Sequence, residues 1–306
     1  MNIPFISRQT GEACLDWLAL TRALEAGHDL PRAELGDTFL YRKSDTFLTR
    51  SAWIDGLGLL VKAASVFPGN PTRKIPAVNG AVTLFSDKDG TLEALIDFHL
   101  VTKWKTAADS LLAARRLARP DSRTVLIVGA GAVARSLIEA YGAGFPEAGI
   151  SLWNRTAERA EAVVRDYPHV QILHDLERAV RDADIVSAAT MSTKPLIRGE
   201  WLRPGQHVDL IGAYRPDMRE ADDAALTRAC IFVDSRETVL DHIGELAIPI
   251  ATKAITRQDV IADFYDLSRG TFRRRHDDEI TLFKNGGGAH LDLMTSRHIL
   301  DRWQKQ

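Results

Sequence analysis

Two groups of residues in this chain have the types and spacing to hold small anions. The first follows Thr124-Val-Leu-Ile-Val128, where apolar and β-branched residues lead straight into Gly129-x-Gly131-x-x-Ala134. A buried strand that ends in a glycine turn and opens a helix aims free backbone N–H groups, and the positive helix end, at a pyrophosphate. The next strand-like segment, Gly149-Ile-Ser-Leu-Trp153, ends in Asn154-Arg155-Thr156 and carries no acid there. An Asp or Glu at that point accepts from the ribose 2′-hydroxyl of NAD, whereas an Arg between small polar side chains donates to a 2′-phosphate. The pattern predicts a dinucleotide site tuned for NADPH, with NADH as the alternative cofactor. The plainer reading is that Arg155 only opens the next helix at the surface. Residues expected at the nucleotide are Gly129, Gly131, Ala132, Val133, Asn154, Arg155 and Thr156, with Thr190 and Gly212 beyond two later strands.

The second group is a set of cations in segments that otherwise read as buried. Lys62 sits within Leu59-Leu-Val-Lys-Ala-Ala, and Lys105 within Thr102-Lys-Trp-Lys-Thr-Ala-Ala-Asp109 at a helix N-terminal turn; Arg32 and Arg42 lie upstream. A lysine in an apolar strand needs an anionic partner or a lowered pKa, because an isolated buried ammonium is costly. Converging cations suit a carboxylate ligand. Alternatively each head snorkels to solvent, the reading preferred for Lys103 and Arg115. The run Arg273-Arg-Arg-His276, followed at once by Asp277-Asp-Glu279, reads as a solvated face rather than a nucleic-acid site. Asn285-Gly-Gly-Gly288 reads as a hinge, or as a place where backbone approaches a cofactor. No His, Cys and Asp cluster has metal-ligand spacing, so no metal is expected.

The elements that must position these residues differ along the chain. From about residue 122 to 241, short apolar runs alternate with helical patterns. Candidate strands are 124–128, 150–153, 170–173, 185–188, 207–211 and 231–233, with helices beginning near Ala132, Ala157, Leu176 and Glu220. Alternation of this kind gives right-handed βαβ units and a parallel sheet covered on both faces. Before residue 122, segments 39–41, 47–49 and 58–67 read as antiparallel strands. A hairpin-like pair, 80–85 and 92–96, turns at Asp89-Gly90. Residues 67–71 and 76–80 are loop material by composition. A helix from about residue 102 to 118 ends at Arg119-Pro120, the candidate linker. The C-terminal segment 290–303 has a helical apolar stripe formed by Leu291, Met294 and His298 with Leu300 or Ile299. The expected fold class is α/β, a Rossmann-type doubly wound parallel-sheet domain (120–288) plus an α+β substrate and dimerisation domain (1–119 with 289–306).

Bulk properties narrow the function classes. At 306 residues the length suits two domains, and 45% hydrophobic with 26% charged residues is ordinary for a globular protein. A net charge of −2 gives no electrostatic case for nucleic acid or an anionic membrane. Cys14 and Cys230 stand far apart without CxxC spacing, which fits a reducing compartment. The first ten residues lack a basic stretch followed by an apolar core, and no apolar run approaches the roughly 20 residues of a bilayer span. A cytoplasmic location is expected.

Several segments together resemble the ornithine cyclodeaminase/mu-crystallin family. They are Val61-Lys-Ala-Ala-Ser-Val-Phe-Pro-Gly-Asn-Pro71, Leu100-Val-Thr-Lys-Trp-Lys-Thr-Ala-Ala-Asp-Ser110, Leu117-Ala-Arg-Pro-Asp121, the Gly129 loop, Ile211-Gly-Ala-Tyr214 and Glu279-Ile-Thr-Leu-Phe283. The order is collinear over nearly the whole chain. The resemblance implies a homodimer, a nucleotide domain, and a substrate domain completed by the C-terminal helix. It also implies that Lys62 and Lys105 hold a substrate carboxylate with an upstream arginine, either Arg32 of Pro31-Arg32 or Arg42. Three departures stand out: Lys105 replaces the family's usual Arg, the upstream Arg is displaced, and Tyr214 replaces the acid that cyclodeaminases and the related alanine dehydrogenase carry. A cyclodeaminase needs a base at the substrate amine. The pattern Gly212-Ala-Tyr-Arg-Pro-Asp-Met-Arg-Glu220 resembles instead the Δ1-pyrroline-2-carboxylate reductase branch. That branch implies NADPH-dependent reduction of this cyclic imino acid to L-proline, with Δ1-piperideine-2-carboxylate to L-pipecolate as a companion reaction. Tyr214 is then a candidate hydroxyl at the imine. The alternatives are ornithine cyclodeamination and NADPH binding without turnover, as in a mu-crystallin-like protein.

Overall fold

The computed structural model describes residues 3–306; Met1 and Asn2, the head of the stretch read for a signal sequence, lie outside the described residues. The chain divides into two compact units, Met1–Lys105 with Gly288–Gln306, and Thr106–Gly287. The division falls inside one continuous helix, not at the linker expected at Arg119-Pro120. Pro120 does end that helix, but a helix can continue from one packing environment to another with no compositional mark.

The first unit runs β1 (Phe5–Ile6), α1 (Arg8–Glu12), α2 (Trp17–His28), β2 (Glu34–Arg42), β3 (Asp45–Ile54), β4 (Gly58–Val66), β5 (Val78–Phe85), β6 (Leu92–Asp97) and the start of α3 (Phe98–Leu117). Its six strands lie in the order β1-β6-β5-β4-β3-β2. All neighbours are antiparallel except β1 with β6. The two helices before β2 carry clear local signals that the sequence reading passed over. Asp16 caps α2 by accepting from Ala19 N–H at 2.7 Å, and Trp17, Leu20, Thr21, Leu24 and His28 form its buried face at helical spacing. Trp17 stacks on Trp104, ring centroids 3.9 Å apart, so the residue beside Lys105 is fixed by packing. The C-terminal helix (Ala289–Trp303) packs on α2, β3 and β4, as its apolar stripe predicts.

The second unit contains β7 (Thr124–Val128), α4 (Ala132–Gly144), β8 (Gly149–Trp153), α5 (Ala157–Val164), β9 (Gln171–Ile172), α6 (Leu176–Asp182), β10 (Ile185–Ala188) and β11 (His207–Leu210). It continues through α7 (Asp223–Thr227), β12 (Cys230–Val233), α8 (Arg236–Val239), α9 (Gly244–Ala251), β13 (Val260–Ala262) and β14 (Thr281–Lys284). Its sheet is parallel throughout, in the order β13-β12-β14-β11-β10-β7-β8-β9. Strand order reverses between β7 and β10, the switch point where doubly wound sheets open a crevice at their C-terminal edge.

Three expectations change here. The helix expected to start near Glu220 begins at Asp223, capped by Asp222, and Glu220 is buried in the preceding loop. The glycine segment is tied rather than hinged: Gly286 and Gly287 N–H donate to Asp234 Oδ2 at 3.0 and 2.5 Å. Arg274 does not lie on a solvated face, since its guanidinium donates to the carbonyls of Leu117 at 2.7 Å and Gln206 at 3.0 Å. A carboxylate also sits within the apolar sheet. Asp209 on β11 accepts from Ser110, Ser187 and Tyr141, and burial raises its pKa to about 6.

Candidate functional site

In the second unit, a cavity of about 470 Å³ opens at the switch point. The β7 turn supplies Gly129 and Gly131, the end of β8 supplies Asn154, Arg155 and Thr156, and the segment after β10 supplies Thr190. Gly129 has φ +119°, and a Cβ there would come within 2.6 Å of the Ala189 carbonyl oxygen, so the turn is possible only without a side chain. Gly131 caps α4 with no side-chain hydrogen bond, and a Cβ on it would meet open space. The first-turn N–H groups of α4 therefore lack a side-chain acceptor beside a cavity, which suits a pyrophosphate. Ala132 and Val133 form that first turn, and Gly212 lies behind Thr190; these three do not line the cavity.

The charges lining this cavity are Arg155, Arg159 and Lys194, and no carboxylate is among the lining residues. Arg159 and Lys194 were missed by sequence reasoning. Arg159 lies in the first turn of α5, just after the Asn154-Arg155-Thr156 turn, and that proximity in sequence was the available signal. Asn154 Nδ2 donates to the Thr156 carbonyl at 2.8 Å, closing the turn that presents Arg155.

In the first unit, β4 alternates so that Leu60, Lys62 and Ala64 share its buried face. Lys62 is 7% exposed, which excludes snorkelling. Its Nζ donates to Asp292 Oδ1 at 2.9 Å and lies 4.8 Å from the centre of the Phe98 ring. Desolvation lowers the Lys62 pKa, Asp292 opposes that shift, and Lys105 and Arg50 reinforce it. Arg50 stands opposite Lys62 in the β3–β4 register and forms an ion pair with Asp37 at 2.9 Å. Buried His290 is kept neutral, its pKa well below the usual value, first by desolvation and then by His28, Lys105, Arg50 and Arg32. Lys105 and Arg50 thus act electrostatically on both Lys62 and His290, and Arg32 acts on His290.

Arg42 is set apart from this group. It ends β2, pairs with Asp45 at 3.0 Å, and has its side chain 75% exposed. Lys103, expected to snorkel, pairs with Glu12 at 3.1 Å, and Arg115 is exposed as expected. Tyr214 is 55% exposed, with the Arg215 guanidinium 5.7 Å from its ring centre, and it does not line the nucleotide-type cavity. Sequence reasoning missed Arg50 and Asp292. Alternation along β3 could have flagged the first, whereas Asp292 lies 230 residues from Lys62 and carried no local signal. Among the described residues no group of His, Cys, Asp and Glu is arranged to hold a metal, and no helix is long and apolar enough to cross a membrane.

Comparison with known proteins identifies the family. The model of the ornithine cyclodeaminase/mu-crystallin family matches residues 55–306. A Δ1-pyrroline-2-carboxylate reductase of Paracoccus denitrificans is 52% identical over 301 residues, which cover 96% of this chain and 95% of that one. The structure of Thermococcus litoralis Δ1-pyrroline-2-carboxylate reductase in complex with NADH and L-proline has the same fold. It matches with a TM-score of 0.90 at 24% identity, over 98% of this chain and 97% of that one. An archaeal alanine dehydrogenase dimer with bound NAD matches at TM-score 0.90 and 25% identity, over 100% and 97% of the two chains. On the family match and the 52% identical relative, the chain belongs to the ornithine cyclodeaminase/mu-crystallin family.

Proposed function

We propose that the protein reduces the cyclic imine Δ1-pyrroline-2-carboxylate to L-proline with a reduced nicotinamide dinucleotide, and that Δ1-piperideine-2-carboxylate is a companion substrate. The observation that carries the reading is the excess of cations around Lys62, a site built for an anion. Lys105 and Arg50, the latter paired with Asp37, add positive charge to its surroundings, and Asp292 is the carboxylate that pairs with it. The 52% identical relative bears the name of this reductase. The bound dinucleotide supplies a hydride to the imine carbon.

The residues of the chain do the remaining work. Lys62, Lys105 and Arg32 bind the carboxylate and so fix the orientation of the ring. Asp292 holds the Lys62 ammonium at the end of its reach, so little rotamer freedom is lost when the substrate arrives. Water or the Tyr214 hydroxyl supplies the proton to nitrogen. The substrate carboxylate is needed because a neutral ligand would leave these charges uncompensated.

For the cofactor, we propose NADPH in preference to NADH. Arg155, Arg159 and Lys194 line the cavity without a carboxylate to receive a ribose 2′-hydroxyl, which supports a 2′-phosphate ligand. The T. litoralis enzyme is described with NADH, so the preference rests on this chain's own residues. A homodimer is supported by the exposed apolar side chains Phe39, Leu40 and Tyr41 on β2, an edge strand of the six-stranded sheet. We place the protein in the cytoplasm.

The test is an assay of purified protein with the imine and either dinucleotide, following loss of dihydronicotinamide absorbance. Imine-dependent oxidation, faster with NADPH at limiting concentration, is expected. Oxidation no faster with the imine than without it contradicts the function, and ammonia release from L-ornithine with NAD would replace it.

A further inference from the structure

One buried carboxylate beside the nucleotide-type cavity has no part in the scheme above. Glu220 is fully buried in the loop before α7. Its Oε1 accepts from Thr190 N–H at 2.6 Å and from the Thr190 hydroxyl at 2.7 Å, and its Oε2 accepts from Gly212 N–H at 2.6 Å. The same residue holds the far end of the segment through its backbone. Its carbonyl accepts from Leu196 N–H at 2.8 Å and from Ile197 N–H at 2.9 Å. Residues 189–194 and Leu196 line the cavity, so a single residue ties both ends of that lining segment.

Glu220 is itself held from behind. Glu245 on α9 accepts from Glu220 N–H at 2.7 Å and from Ala221 N–H at 2.9 Å. Gly212 completes the arrangement, because a Cβ there would run into the Thr190 carbonyl and the Glu220 carboxylate. Three donors converge on its two oxygens, so each oxygen must offer a lone pair. An amide in its place must turn an NH₂ toward a backbone N–H, and an aspartate is one methylene too short to reach both Thr190 and Gly212.

We propose that Glu220 is a positioning residue for the dinucleotide: it fixes the 189–196 segment in the shape that binds the cofactor, without touching the cofactor itself. This rests on the dinucleotide reading given above. The experiment is direct titration of purified protein with NADPH and with NADH, following protein and nicotinamide fluorescence, together with steady-state kinetics. If wild type binds neither dinucleotide, the cofactor reading fails. Provided it binds, Glu220→Gln is expected to raise Kd and KM for both dinucleotides by about 10- to 100-fold. With saturating dinucleotide, kcat and the KM for imine are expected to stay within about threefold of wild type. Thr190→Val, which removes one donor, is expected to raise Kd by about three- to tenfold in wild type and no further in the Glu220→Gln background.

A purely structural role would lower stability without this split between cofactor and imine parameters. Unchanged dinucleotide Kd in Glu220→Gln, or additive effects of the two substitutions, would overturn the proposal. Where Glu220→Gln does not fold, Thr190→Val and Glu220→Asp carry the test, and wild-type Kd in both would overturn it as well.

Discussion

Lys62 and Lys284 are both buried lysines on strands, and their surroundings are opposite. Lys62, in the first unit, has one carboxylate partner and two further cations acting on it. Lys284, in the second unit, is acted on by Glu220, Glu245, Asp234 and Asp209, and its Nζ donates to the carbonyls of Leu210 and Asn285 at 2.9 and 2.6 Å. A buried charge is tolerated when other charges and hydrogen bonds compensate it. Lys284 is compensated within its own unit, which marks it as structural. Around Lys62 positive charge remains in excess, which marks a place for an anion. Burial alone therefore does not separate an architectural lysine from a binding one; the sign of the surrounding charge does.

The largest expected effect tests the structural half of this contrast. Lys284→Met leaves four carboxylates without their shared cation and is expected to cost about 3–5 kcal/mol in urea unfolding. A loss below about 1 kcal/mol would remove the distinction drawn here.

The next effect is a pH dependence. Burial, then the neighbouring Glu245, raise the Glu220 pKa to about 8, while Lys284 and Thr190 oppose the shift. An acid with a raised folded-state pKa contributes stability that is complete below its unfolded pKa and is lost as pH rises through the folded one. Wild type should therefore lose stability relative to Glu220→Gln between about pH 4.5 and 8 and run parallel to it above that range. Parallel curves throughout would show that Glu220 does not titrate in this window.

Arg155→Ala sharpens the comparison from the nucleotide side. We expect a rise of about tenfold in NADPH Kd with NADH Kd nearly unchanged, the scale of one charge-assisted hydrogen bond. An equal loss for both dinucleotides would remove the case for a 2′-phosphate contact. Tyr214→Phe is the smallest expected change, within about threefold in kcat, because a water can deliver the proton in place of an exposed hydroxyl. A loss of about a hundredfold or more would instead identify Tyr214 as the proton donor.

What the sequence made legible follows the range of the forces involved. The strand, the glycine turn and the helix at Gly129 are local, as are the 3.6-residue stripes of α4 and the C-terminal helix, and all stand where periodicity places them. Arg155 was readable because it ends a strand next to that turn. Strands β13 and β14, 3 and 4 residues long, lie beyond residue 241, past the stretch where strands alternate with helical patterns, and were not read. Glu220 was misread as a helix start because its role depends on Thr190 and Gly212, 30 and 8 residues away. The ion pair between Lys62 and Asp292 is set wholly by tertiary packing, so the partner that the strand demanded could be expected but not named.

The central claim is that the cation excess around Lys62 exists to hold the substrate carboxylate. Steady-state turnover of Δ1-pyrroline-2-carboxylate by Lys62→Met, with dinucleotide Kd measured on the same sample, tests it most directly. A fall in kcat/KM of at least about a hundredfold, with dinucleotide Kd unchanged, is the expected result. Turnover within about threefold of wild type would contradict the account.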